Sequence, residues 1–185
     1  MVSASRKVYL RRPVQSDFEE LHARFESSTA HLRDFAAVGF DRKRFDEMLA
    51  AAMLDSNESF LICLIEDDAI VGQINLSQIF RKAFQNAYLG YQLFNGFTGK
   101  GYMTEAVELV LKFAFEKLKL HRIEANVQPS NKTSIAVLER NGFTREGFSK
   151  RYLKINRKWR DHERWAIIKE DWKSRKQDDS PSICK

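Results

Sequence analysis

The sequence predicts an α/β fold, a mixed and mostly antiparallel sheet flanked by helices. Three observations predict it. Residues 59–65 and 70–80 are apolar runs joined by Glu66-Asp67-Asp68, which reads as an antiparallel pair with a tight turn. After Tyr102, apolar residues recur at helical spacing and place Ala106, Val107, Val110, Leu111, Ala114, Phe115 and Leu118 on one face. Residues 122–127 then alternate Ile123, Ala125 and Val127 as a strand does, so a helix crosses between two parallel strands.

The other elements follow in order. Val8-Tyr9-Leu10 forms a first strand. Ser16 caps a helix over 17–26, with Glu19 as its capping-box partner. Asp41 caps a second helix whose Phe45, Met48, Leu49, Ala52 and Met53 share helical spacing. Residues 87–94 make the strand before a glycine-rich loop. Pro129-Ser130-Asn131 opens a later helix that Asn141-Gly142 closes. Two strands at about 151–155 and 163–168 end the pattern. The resulting order is β-α-α-β-β-β-α-β-α-β-β. It is not doubly wound: no strand is followed by Gly-x-Gly-x-x-Gly, and no Walker-type loop occurs. A single domain is expected over residues 1–172, with a polar tail over 173–185.

Composition narrows the function. Cys63 lies in an apolar run and reads as a buried thiol, while Cys184 lies in the polar tail, so no disulfide framework is expected. No stretch resembles a signal peptide or a bilayer span, so a cytoplasmic protein with no membrane partner is expected. The formal net charge of +6 suits an anionic partner such as a phosphorylated cofactor, RNA or a ribonucleoprotein. His22 and His31 lack metal-ligand spacing with cysteine or carboxylate, so no metal is expected.

The most informative stretch is Gly99-Lys100-Gly101-Tyr102-Met103-Thr104-Glu105-Ala106. Two glycines admit a tight turn and close backbone approach. The helix they open offers unpaired N–H groups and a partial positive charge, which together cradle a pyrophosphate. This loop resembles the acetyl-coenzyme A loop of the GNAT N-acetyltransferases. Pro129-Ser130-Asn131, Ser134 and Asn141-Gly142-Phe143 resemble the family's next block. Trp159-Arg160-Asp161-His162 resembles the Rim-type ribosomal-protein enzymes, the alanine-specific branch in particular. The resemblance covers about residues 7–172.

It implies a splayed central strand pair and specific roles. Backbone amides of Thr98, Gly99, Lys100, Gly101, Tyr102, Met103 and Thr104 would hold the pyrophosphate. Tyr91, Gln92, Leu93 and Phe94 would offer an open strand edge to the pantetheine amides. Asn131 would bond the pantetheine arm, and a backbone N–H near Leu93 would hold the oxyanion of a direct attack. The loop departs from the family at Thr98, where Gln or Arg is usual, and at Met103, where a small residue is frequent. Neither change removes a backbone donor.

Transfer to an amine needs a base and an acid. The tyrosine that many relatives place four residues before Gly-Phe is here Leu138; the resemblance to the Rim-type enzymes, which carry a serine at the position of Ser134, implies Ser134 as the acid and a second contact to the cofactor. Where some relatives carry glutamate, this chain has Asn126. No Asp or Glu occurs between Gln73 and Lys100, so Glu105 remains as a nearby carboxylate, though its plainer reading is a favourable charge in a helix first turn. An α-amine, with a reference pKa of about 7.7–8 against about 10.4 for lysine, demands less of a base. Trp159 and Asp161 are placed at the peptide entrance, or serve only as sheet cover and turn.

The function expected is acetyl transfer from acetyl-CoA to a protein N-terminal α-amine, an N-terminal alanine on a ribosomal protein, with weak RNA contact through the basic surface. Two other readings stay open: acetylation of a polyamine or aminoglycoside, and a non-catalytic CoA-binding or ribosome-associated module.

Overall fold

The computed structural model describes residues 2–36 and 39–178. The first half contains β1 (Ser3–Ala4), β2 (Val8–Arg11), α1 (Phe18–Leu32), α2 (Arg42–Ala51), β3 (Glu58–Leu64), β4 (Ile70–Ser77) and β5 (Asn86–Leu93). Then come α3 (Tyr102–Lys112), β6 (Arg122–Val127), α4 (Lys132–Arg140), β7 (Thr144–Ile155), β8 (Lys158–Ile168) and α5 (Lys169–Asp178). One eight-stranded sheet runs β1-β2-β3-β4-β5-β6-β8-β7. Every pairing is antiparallel except β5 with β6, which α3 connects. Among the described residues no helix is long and apolar enough to cross a membrane.

Alternation along the strands sends neighbouring residues to opposite faces. Two cores result. Phe60, Ile62 and Ile74 pack with Val107 and Val110 from α3, Phe115 just beyond it and Leu138 from α4. Leu61, Cys63 and Ile70 pack on the other face with Leu21, Phe25 and Phe45 from α1 and α2. Burial raises the Cys63 thiol above its ordinary value, consistent with an inert core cysteine.

The parallel pair splays. Only Asn86, Ala87 and Tyr88 pair with Arg122, Ile123 and Glu124. Beyond that point β5 continues to Leu93 and β6 to Val127, each held on its outer edge by β4 or β8.

Several boundaries differ from the sequence reading. Ser16 does not cap the first helix. Asp17 stands at the N-cap of α1 without a side-chain cap: its Oδ2 accepts from Val14 N–H at 2.7 Å, and its oxygens hold Arg11 at 2.8 and 2.7 Å, which fixes the turn that leads into the helix. A 3₁₀ turn over Gln15–Asp17 precedes α1, which runs on to Leu32 because Phe25 and Leu32 extend its buried stripe. Helix α2 stops at Ala51, and Met53 is 85% exposed instead of sharing the core face. Asp41 caps α2 as expected, accepting from Arg44 N–H at 2.9 Å. Strand β4 ends at Ser77, since Gln78 takes a positive φ of 50°. The last two strands are longer than their apolar cores suggest. Helix α3 continues into a π-helical turn over Phe113–Lys117. Helix α5 carries regular structure past residue 172 to Asp178, while residues 179–185, with Cys184, lie outside the described residues.

Candidate active site

The splay opens a cleft of about 340 Å³ through the sheet. Leu89, Tyr91 and Leu93 line one wall, and Ala125, Asn126, Val127 and Gln128 the other. Phe94 N–H donates to Val71 O at 2.9 Å. Antiparallel alternation then turns the backbone of Gln92 and Gly90 towards β4 as well. The N–H and C=O groups of Leu89, Tyr91 and Leu93 therefore face the gap, where β6 has moved away. Phe94 itself is fully buried against Phe25, and its N–H is spent on β4, so it offers no edge group.

Side chains from both sheet faces close the cleft. From α1 come Leu32, and just beyond it Phe35 and Ala36; from α3 and α4 come Met103, Thr133, Ser134 and Val137. Asn131 Oδ1 accepts from Ser134 N–H at 3.1 Å, which caps α4 and seats Ser134 at the cleft. Across the gap, the Tyr91 hydroxyl lies 2.8 Å from Ser134 Oγ and 3.2 Å from the Ser134 carbonyl, to which it donates. Burial pushes the Tyr91 phenol up to about 12, so it keeps its proton at neutral pH. The sequence reading used Tyr91 only for its backbone. Leu138, where many relatives place the acid, is buried in the core, and Tyr91 brings a phenol to Ser134 from the opposite strand.

The loop before α3 has φ of +77° at Gly99 and +84° at Gly101, values that favour glycine. A Cβ at Gly99 would meet nothing within 4 Å. None of the backbone N–H groups from Thr98 to Thr104 has an acceptor among the described residues. Lys7 Nζ donates to Lys100 O at 3.1 Å and adds a positive charge beside the loop. Glu105 is not brought to the cleft. Its Oε2 accepts from Ser5 Oγ at 2.6 Å and from Lys7 N–H at 3.0 Å, which ties α3 to the turn before β2.

The last hairpin divides its four motif residues. Trp159 is 60% exposed and stands opposite Lys154. Asp161 Oδ1 accepts from Arg151 N–H at 2.7 Å and stabilises a bulge, so it acts within the hairpin. His162 is the residue that lines the cleft, and it is 3% exposed. Its Nδ1 lies 3.0 Å from the Arg160 carbonyl, which must accept, so Nδ1 carries the hydrogen and Nε2 the lone pair. Burial lowers its pKa and keeps the ring neutral near pH 7. Sequence reasoning grouped His162 with its neighbours and missed its place; the strand alternation Trp159/Arg160/Asp161/His162 was the available signal.

Residues 7–144 match the acetyltransferase (GNAT) domain family. The chain belongs to the GNAT acetyltransferases. GNAT enzymes are acetyl-CoA-dependent N-acetyltransferases, and this GNAT chain is similar to proteins of that kind. It is 42% identical over 158 residues to the probable N-acetyltransferase YjcK of Bacillus subtilis, a match covering 85% of this chain and 86% of that one. It is 39% identical over 107 residues to the ribosomal protein uS5-alanine N-acetyltransferase of Escherichia coli, covering 58% of this chain and 55% of that enzyme. Its fold superposes on Mycobacterium smegmatis RimJ in complex with a CoA disulfide with a TM-score of 0.81 and 32% identity, over 88% of this chain and 82% of that one.

The GNAT loop fits the pyrophosphate of coenzyme A: its backbone donors are free, its glycines leave an open surface, and a lysine stands beside it. The buried Gln92 Nε2, with no protein acceptor among the described residues, is a further donor at the cleft. Gly101→Val tests the loop. The protein leaves room, since the added Cβ would meet only Lys7 Nζ at 3.7 Å. The positive φ costs a branched residue about 1–3 kcal/mol, which a folded domain of about 5–15 kcal/mol survives. We expect a folded variant whose acetyl-CoA affinity falls about tenfold or more, a loss of at least ~1.4 kcal/mol. Unchanged affinity by calorimetric titration would remove the loop from the cofactor site.

Proposed function

We propose that this GNAT enzyme transfers acetyl from acetyl-CoA to the α-amine of a protein N-terminus, an N-terminal alanine on a ribosomal protein, in the cytoplasm. One observation carries the acceptor class: among the described residues the cleft is lined by no Asp, Glu, Lys or Arg. A polyamine or aminoglycoside would bring several cations into a gap with no carboxylate to replace their water, which is costly. An α-amine is partly neutral near pH 7 and enters at lower cost. The open edge at Tyr91 suits the pantetheine amides of acetyl-CoA, as an added strand would lie. The likeness to the uS5-alanine enzyme and to RimJ supports a ribosomal acceptor.

Acetyl-CoA supplies the thioester carbonyl. The Leu93 N–H supports the developing oxyanion. The amine nitrogen forms the new C–N bond and gives its proton to His162 Nε2 as the C–S bond breaks. Ser134 Oγ donates to the leaving thiolate, with the Tyr91 hydroxyl 2.8 Å behind it. Asn126 and Asn131 are neutral hydrogen-bonding groups in the walls.

The test is a peptide with a free N-terminal alanine and an internal lysine, incubated with acetyl-CoA and read by mass spectrometry. The acetyl group is expected on the α-amine, with a rate that rises through the amine pKa. Acetyl found mainly on lysine, or on neither while a polyamine is consumed, overturns the assignment.

A further inference from the structure

The last hairpin has a second use. Strand β6 pairs with β8 only from Ile168 back to Glu163, so the rest of β7–β8 projects past the sheet as a two-stranded ribbon. Residues 149–160 hold Lys150, Arg151, Lys154, Arg157, Lys158 and Arg160 and no Asp or Glu. These six account for the entire formal charge of +6: the other 25 Lys and Arg are matched by 25 Asp and Glu. None of the six makes a side-chain ion pair among the described residues.

Their arrangement is specific. Lys154 stands opposite Trp159, while Lys158 and Arg160 stand opposite Ile155 and Leu153. Consecutive residues alternate, so cations occupy both faces of the ribbon. Between Ser149 and Leu153 the register slips, and Lys150, Arg151 and Tyr152 bulge out over Asp161. Trp159 and Tyr152 are exposed among the cations. One inward lysine blunts an edge strand; six unpaired cations on both faces exceed that need. A membrane presents a single plane. A two-faced cationic ribbon with interleaved aromatic rings matches a folded RNA, whose phosphates flank it and whose unpaired bases stack on Trp159 and Tyr152.

We infer that the β7–β8 ribbon is an RNA-docking element that seats the enzyme on a ribonucleoprotein. The tip is clasped to the cleft: Asn156 Nδ2 donates to Arg33 O at 2.7 Å and to Ala36 O at 3.0 Å, and Ala36 lines the cleft. RNA held by the ribbon therefore lies beside the acceptor mouth; that purpose rests on the proposed ribosomal acceptor, whereas the RNA binding does not.

The test measures fluorescence anisotropy of a fluorescein-labelled RNA stem-loop over a salt series, for the wild type and for Lys150→Ala/Lys154→Ala/Lys158→Ala. The wild type is expected to bind, with affinity falling steeply with salt. The triple variant is expected to bind at least about tenfold more weakly, with a salt slope shallower by about 1 per lysine removed. Turnover of a free N-terminal peptide is expected to stay within about twofold of wild type, since none of the three lysines lies in the cleft. If the wild type turns over no peptide, thermal melting replaces turnover as the fold control and the RNA result still decides. If the triple variant loses its fold, single Lys154→Ala decides, with a slope shallower by about 1. An unchanged slope and Kd, no RNA binding at about 50 mM salt, where phosphate contacts are strongest, or tighter retention on phosphatidylglycerol vesicles than on RNA each overturns the proposal.

Discussion

Replacing Ser134 with alanine is expected to lower kcat by about 10²–10⁴-fold, the usual range for a lost acid–base group, or about 2.7–5.5 kcal/mol at the transition state. Acetyl-CoA affinity should change little. The geometry makes this substitution unusually clean. The helix cap runs through the Ser134 backbone N–H to Asn131 Oδ1, which alanine retains. The buried Tyr91 hydroxyl keeps the Ser134 carbonyl as its acceptor at 3.2 Å, so no phenol is orphaned. What is lost is the Oγ that stands between Tyr91 and the cleft. The kinetic signature is a fall in kcat and kcat/KM together. A two- or threefold fall in thiol release would leave Ser134 as a helix-start residue only.

His162→Gln is expected to lower kcat about 10²-fold or more and to change the shape of the pH profile. In the proposed mechanism two groups lose a proton before transfer: the α-amine, near 7.7–8, and His162, which burial holds below its ordinary value of about 6.5. The Arg160 carbonyl and Asp161 oppose this shift and do not overcome it. Tyr152 lies with its ring centroid 6.2 Å from that of His162, and His31 and Tyr91 are the other titratable groups that line the same cleft. The logarithm of kcat/KM should therefore rise with slope 2 below the His162 pKa and slope 1 from there to the amine pKa. In the glutamine variant the slope should be 1 throughout. A variant that retains slope 2, or full activity, would exclude His162 as the base. The same shift acts on folding. The unfolded chain binds the proton more readily, so the contribution of His162 to stability is complete above about 6.5 and is lost as pH falls through the lower folded value.

The sheet, its one parallel pair and the glycine loop were legible because local signals agreed with the tertiary arrangement. Alternation at Ile123, Ala125 and Val127 marked a strand buried on one face, and the apolar stripe after Gly101 marked the crossover helix. The edges were less legible. Asp17 holds the turn before α1 through Val14 N–H and an ion pair to Arg11 on a neighbouring strand, which the local pattern at Ser16 does not contain. Strands β7 and β8 were read short because their outer halves are charged, and only the pairing register shows them continuing. At the site, Ser134, Asn131, Asn126, Tyr91, Leu93, Thr98 and Met103 meet at one cleft. Glu105, Phe94 and Asp161 are occupied elsewhere, by Ser5 and Lys7, by Val71, and by Arg151. No spacing rule distinguishes a free carboxylate from one engaged by a distant turn. The Tyr91–Ser134 pair joins residues 43 positions apart, so neither gives a local sign of the other.

The gap between β5 and β6 passes from one face of the sheet to the other, bordered by α1 on one side and by α3 and α4 on the opposite side. That arrangement has a kinetic consequence for the proposed reaction. The thioester would lie on the side of the glycine loop and the chain terminus on the side of Phe35, so both would occupy the cleft together and the acetyl group would pass directly between them. Order of addition would then be set by relative affinities and concentrations.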